Sequence, residues 1–195
     1  MKLSERTDEE LVEMAQNAAN GDLRAYDLLV TRWQERVLAN CRYLTRSPDD
    51  SEDLAQEVFV KGFFHLSKFE GRSTFGTWIR RIKVNHCLNF LRSKKNRTMV
   101  DADDEIVVSG APEMHVAPTA VQQTENLDRQ QAIRQVLDAM PDTLRLPLLM
   151  RDLDGLSYQE IADTLEIGLS ATKMRIKRAR EQFREIYDQL EIAEA

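Results

Sequence analysis

Glycine and proline are scarce in this 195-residue chain, at 7 and 5 residues. That argues against a loop-rich or repetitive fold, and with helix formers dominating it predicts an all-α protein. There are 2 cysteines, Cys41 and Cys87, without the CxxC or Cys/His spacing of a metal site. His86 adjoins Cys87, but adjacent helical residues point in different directions, so no metal is expected there. No apolar run is long enough to cross a bilayer. The first residues, MKLSERTDEELVEM, are charged throughout and lack the apolar centre of a secretory leader, which predicts a cytoplasmic protein. A phosphate-cradling glycine loop, a nucleophile–base pair and metal-carboxylate spacing are also missing, so neither an enzyme nor a cofactor is expected.

One further absence is local. From Arg72 to Arg97 there is no carboxylate, in a chain whose net charge is -6. The same stretch holds 8 cations: Arg72, Arg80, Arg81, Lys83, Arg92, Lys94, Lys95 and Arg97. Phe75, Trp78 and Phe90 are interleaved with them, and Asn85 and Asn89 lie one helical turn apart. Cations neutralise phosphates, aromatic faces stack on unpaired bases and amides read base edges, so the segment points to an opened nucleic-acid strand. A basic helix standing alone is more simply a solvated face.

The complementary bias follows directly. Met99 to Asn126 contains 6 acids (Asp101, Asp103, Asp104, Glu105, Glu113, Glu125) and no lysine or arginine, enough to account for the whole net charge. With Gly110, Pro112 and Pro118 and no helical apolar repeat, it reads as a flexible acidic linker. The expected organisation is therefore two small helical domains, 1–98 and 127–195, joined by a linker over 99–126.

Within the first domain, Thr7-Asp8-Glu9-Glu10 predicts a capping box and a helix ending near Gly21. A second helix runs from about Asp22 to Leu44, with an apolar stripe through Ala25, Leu28, Leu29, Trp33, Val37 and Leu38. Ser47-Pro48-Asp49-Asp50 opens a third, which turns Leu54, Val58, Phe59 and Phe63 inward and leaves some of Asp53, Gln56 and Glu57 exposed. A fourth runs from about Thr74 to Asn96.

In the second domain, Leu127 to Met140 and Pro141 to Leu153 read as supporting helices, with Pro147 bending the latter or marking a tight first turn. Asp154-Gly155 makes a turn, and Ser157-Tyr158-Gln159-Glu160 caps a short helix. Ser170 caps a final basic helix carrying Lys173, Arg175, Lys177, Arg178, Arg180 and Arg184, with Met174, Ile176, Phe183 and Ile186 available for packing. Helix, turn and basic helix form a helix-turn-helix, which would present Ser170, Ala171, Thr172, Lys173 and Lys177 to duplex DNA.

The segment DLAQEVFVKGFFHLSKFEGRSTFGTWIRRIKVNHCLNFLR resembles region 2 of the sigma-70 family, and LMRDLDGLSYQEIADTLEIGLSATKMRIKRAREQF resembles region 4. The layout is similar to that of the extracytoplasmic-function sigma factors of bacteria, which direct RNA polymerase to promoters. The resemblance implies core-polymerase binding by Asp53, Gln56 and Glu57, with Phe59 packing beneath. It implies recognition and opening of the minus-ten element by Glu70, Gly71, Arg72, Ser73, Thr74, Trp78, Arg80, Arg81, Lys83, Asn85, Asn89 and Arg92, with a core role for Trp78 equally open. It implies minus-thirty-five contacts by Arg151, Ser157, Tyr158, Ser170, Ala171, Thr172, Lys173, Arg175, Lys177 and Arg178. The implied partners are bacterial core RNA polymerase, promoter DNA in duplex and single-stranded form, and a cognate anti-sigma factor. The linker resembles a segment that threads through the polymerase toward the RNA path, and a plain solvated tether stays open beside that.

Two departures from the family stand out. Ala171 and Met174 replace the usual threonine and serine of the recognition helix, and Lys83 and His86 stand where small residues are frequent. A dimeric repressor would account for the helix-turn-helix but not for the acidic helix followed by a basic aromatic one. A polymerase adaptor that does not read DNA would leave the basic helix unexplained.

Overall fold

A computed structural model describes residues 2–19, 21–100 and 121–194, and among the described residues all regular structure is helical, with no strand. Residues 101–120 of the acidic stretch lie outside the described residues. Thr7 and Glu10 form the expected capping box, each side chain accepting from the other's backbone N–H at 3.2 and 2.8 Å. That box opens α1 (Asp8–Gln16), which stops short of Gly21. Next come α2 (Arg24–Thr45), α3 (Pro48–His65) and α4 (Phe75–Val100). Ser47 caps α3 by accepting from Asp50 N, with Pro48 at the first helical position where its missing N–H costs nothing.

The core of this lobe is built from the inward faces of α2, α3 and α4. Leu29, Val37, Leu44, Val58, Phe75 and Ile79 are all fully or almost fully buried. Each contributes about 1.5–3 kcal/mol through removal of apolar surface from water. The Tyr26 hydroxyl donates to the Phe59 carbonyl at 2.5 Å, pinning α2 to α3. The α1 N-terminus is fixed on α2 by Asp8, which accepts from Arg32 at 2.7 Å and from the Trp33 indole at 2.8 Å. Phe63 does not turn inward as its spacing suggested. It is 42% exposed and meets Tyr26 only edge-on, at 5.3 Å between ring centroids.

The second lobe comprises α5 (Val121–Ala139), α6 (Asp142–Leu148), α7 (Tyr158–Leu165) and α8 (Leu169–Glu194). Pro147 lies inside α6, and just beyond it the backbone widens into a π turn over Leu149–Leu153 rather than tightening. A proline removes a ladder donor and displaces the preceding turn, and a wider turn accommodates both. Gly155 takes the positive φ of 72° that the following turn requires, and the Ser157–Glu160 capping box starts α7. α8 begins at Leu169, so Ser170 sits inside its first turn instead of capping it.

The two lobes pack against each other through an exchange of arginines. Arg46, in the left-handed conformation that ends α2, donates to the Leu137 and Met140 carbonyls at the end of α5, at 2.9 and 2.6 Å. Arg145 of α6, 1% exposed, donates to the Tyr43 and Leu44 carbonyls at the end of α2 and to Asp142 at 2.7 Å. A helix leaves its last carbonyls without intrahelical partners and negative in partial charge, so a guanidinium is a suitable cap. Each lobe thus caps a helix of the other.

Candidate nucleic-acid interface

On α3 the spacing of apolar residues sends Leu54, Ala55 and Val58 inward and leaves Asp53, Gln56 and Glu57 together on the exposed side. Phe59 is buried beneath them and, with Val30, Leu38 and Ala55, lines a groove of about 460 Å³ between α2 and α3. Glu57 is held from α4: it lies 2.7 Å from His86 Nε2, and His86 Nδ1 is 2.6 Å from the Lys61 ammonium. An ammonium has no acceptor, so Nδ1 accepts from Lys61, while Nε2 sits at ion-pair distance from Glu57 without the alignment of a hydrogen bond. Beyond Glu57 the same helix exposes Val60, Phe63 and Phe64, an apolar patch that helical periodicity did not announce.

The loop before α4 is bent at Gly71, whose φ of 68° favours glycine, and the flanking Glu70 and Arg72 side chains pair with each other. Ser73 is half-buried and Thr74 exposed; the Thr74 hydroxyl accepts from Thr77 N at 3.2 Å and so caps α4. Trp78 is half-buried between Phe69 and Phe75, with centroids 5.2 and 5.8 Å away, a packing position. Arg80 is half-buried and folds back onto its own helix, donating to Gly76 O at 2.9 Å. Arg81, Asn85, Asn89 and Arg92 recur every three or four residues and form one exposed stripe. Lys83 departs from the sequence-based expectation: it is completely buried, its ammonium paired with the equally buried Asp154 of the second lobe. Burial pushes the Asp154 carboxyl above its ordinary range, and Lys83 opposes that push.

In the second lobe, Arg151 donates to Leu156 O at 2.7 Å and lies 4.8 Å from the Tyr158 ring centroid, bracing the turn into α7. Ser157 is occupied as the α7 cap, and the Glu160 carboxyl is held below its usual range chiefly by the Ser157 backbone N–H. On α8, Ser170, Ala171, Lys173, Lys177 and Arg178 are exposed and Arg175 is half-buried. Thr172 is a correction: it is buried, and its hydroxyl bonds back to Gly168 O at 3.1 Å. The inward side of the helix falls on Thr172, Ile176 and Ala179, which puts Met174 outside at 49% exposure rather than in the core. Residues that sequence spacing did not single out also matter here. Asn40, Glu160 and Glu166 all contact groups of the first lobe's basic helix or its buried partner, and no sequence spacing signals those contacts.

Two helical lobes, one with a cation–amide stripe and the other with a helix-turn-helix whose second helix is open, define a DNA-binding transcription protein. Residues 29–97 match the family described as Sigma-70 region 2, and residues 130–183 match Sigma-70, region 4. The chain is 36% identical over 180 residues to the ECF RNA polymerase sigma-E factor of Escherichia coli strain K12, covering 90% of this chain and 91% of that protein. It is 32% identical over 186 residues to the RNA polymerase sigma-H factor of Pseudomonas aeruginosa, covering 92% and 93%. The fold is similar to that of the sigma factor RpoE solved with the anti-sigma factor NepR from Bartonella quintana, with a TM-score of 0.61 and 21% identity over 85% of this chain and 98% of that one. It is also similar to CnrH in complex with the cytosolic domain of CnrY, with a TM-score of 0.56 and 21% identity over 93% and 97%. The chain belongs to the sigma-70 family, in its extracytoplasmic-function branch, and serves promoter-specific transcription initiation. Among the described residues no helix is long and apolar enough to cross a membrane.

Proposed function

We propose that the domain over residues 1–98 binds core RNA polymerase through Asp53, Gln56 and Glu57 and captures unpaired minus-ten bases. The 99–126 segment, whose two ends finish α4 and begin α5, links it to a domain over 127–195 that reads the minus-thirty-five duplex with the exposed side of α8. The observation that carries this reading is the exposed stripe of Arg81, Asn85, Asn89 and Arg92, where cations and base-reading amides share one helix face. Capturing a flipped base offsets an unpairing cost of a few kcal/mol, so binding alone opens the strand and no catalytic group or cofactor is needed. The protein works in the cytoplasm, and a cognate anti-sigma factor covers the polymerase-facing side of α3. The complexed structures of similar fold support that partner class.

Run-off transcription with core polymerase on a genomic fragment library tests the reading. New discrete start sites are expected, and Asn85→Ala with Asn89→Ala should reduce open-complex yield about tenfold or more while leaving core binding and thermal stability unchanged. Duplex binding without any new transcript would point instead to a repressor, and full activity of the double variant would remove α4 as the minus-ten reader.

A further inference from the structure

Two nucleophilic side chains take no part in the polymerase-facing or DNA-facing surfaces. Cys41 of α2 and Cys87 of α4 are both free thiols at 0% exposure, buried in one core with Val37 and Leu44. They stand 46 residues apart in sequence, yet the Cys87 thiol donates to the Cys41 sulfur at 3.6 Å. A disulfide draws its sulfurs to about 2.05 Å, so roughly 1.5 Å of approach separates this pair from a covalent bond. The surroundings treat the two thiols differently. Cys41 is held below the ordinary thiol range, chiefly by the bond from Cys87, with the Lys83 ammonium adding to it and the Asp154 carboxyl opposing. Cys87 is pushed up by the same bond and by burial. One sulfur is thus placed to carry charge and the other to keep its proton.

We propose that Cys41 and Cys87 are a modification site, forming a reversible disulfide at the expense of a hydroperoxide and so stapling α4 to α2. The Cys41 thiolate attacks a peroxide oxygen and the O–O bond breaks. Cys41 becomes a sulfenic acid, and the other oxygen takes up the proton Cys41 gave away, leaving as water or an alcohol. The Cys87 sulfur then attacks the Cys41 sulfur. The S–S bond forms, the S–O bond breaks, and the hydroxyl leaves as water with the Cys87 proton. Two electrons pass from the thiol pair to one hydroperoxide, and a dithiol reductant restores the pair by exchange. Hydrogen peroxide is little larger than water, and the local openings of a helical core admit it. A single buried cysteine behaves as a small apolar residue; here two sulfurs touch, and a cation stands near the one that accepts. Cys87 is two residues from both Asn85 and Asn89, on the side of α4 away from the exposed stripe. The staple therefore holds the helix from behind and leaves its amides open.

Peptide mapping of the native full-length chain tests the site. The protein is treated with hydrogen peroxide, alkylated, digested without reductant and analysed by mass spectrometry. A linked Cys41–Cys87 peptide pair is expected, lighter than the two reduced peptides by two hydrogen atoms, and dithiothreitol should abolish it. Because the bond closes a 46-residue loop, the oxidised chain should melt roughly 5–15 °C above the reduced one. Two variants, each checked by its helical circular-dichroism signal, give the order of events. In Cys87→Ala, peroxide should leave a sulfenic acid on Cys41 that dimedone traps. In Cys41→Ala, Cys87 should react more slowly than that, by about threefold or more. Neither variant should gain the higher melting point. If a variant does not fold, the link and the melt of the wild-type chain still decide. Sulfinic or sulfonic acid in place of the link, disulfides formed only between chains, or thiols that stay reduced in the native protein each overturn the site. A link that leaves the melting point unchanged or lowers it overturns the staple, and faster reaction at Cys87 overturns the assignment of Cys41 as the sulfur attacked first by peroxide.

Discussion

Gly76 occupies the first turn of α4, directly against the Trp33 indole, and a Cβ there would run into three atoms of the ring. Because the contact is with a side chain held by its own hydrogen bond to Asp8, the ring cannot yield freely. Gly76→Ala should therefore destabilise the first lobe by about 1–3 kcal/mol, the usual cost of overpacking, despite alanine's better helix propensity. A thermal melt checks the sign: propensity alone would raise the midpoint, the clash lowers it. Residue roles were partly legible before the structure. Asn85 and Asn89 announced a shared face by their four-residue spacing, and so did Asp53 with Gln56 and Glu57 three and four residues on. Thr172 and Lys83 were not legible in this way. A threonine and a lysine are ordinarily exposed, and only the folded structure shows that one bonds back to Gly168 within its own turn and the other is enclosed by a distant lobe.

At the scale of elements, the punctuation was the readable part. Thr7, Ser47 and Ser157 each cap the helix their local sequence assigned to them, because a short side-chain oxygen can satisfy a free N–H without help from the rest of the fold. The π turn after Pro147 was not readable, since a proline permits a bend, a tight turn or a widened one and packing selects among them. Ser157→Ala should cost about 1 kcal/mol of stability, measured by denaturant unfolding at neutral pH. Its pH dependence has a definite sign. Glu160 has a depressed pKa in the folded state, so its contribution is fully present above the ordinary carboxyl range and is lost as pH falls through that depressed value. The gap between wild type and Ser157→Ala should accordingly narrow in acid. A gap that widened there would mean the capping carboxylate is not what the serine supports.

For the whole molecule, charge is divided by position: the acids that set the net charge of -6 are concentrated in the 99–126 stretch, and α4 and α8 carry runs of cations on either side of it. Replacing the 6 linker acids by serines should change the ratio of abortive to full-length transcripts if the segment lies in the RNA path, and an unchanged ratio would make it a tether. The two-lobe division was legible from composition alone, whereas the way the lobes meet was not, because the arginines that join them look like ordinary surface charges. Arg145 serves the carbonyl of Tyr43 across 102 residues of chain. During synthesis at about 5–20 residues per second, roughly 5–20 s separate the emergence of that helix end from the arrival of its guanidinium. For that interval water alone covers the last carbonyls of α2. The last turn of α2 is thus held by the first lobe's own core until the second half of the chain arrives.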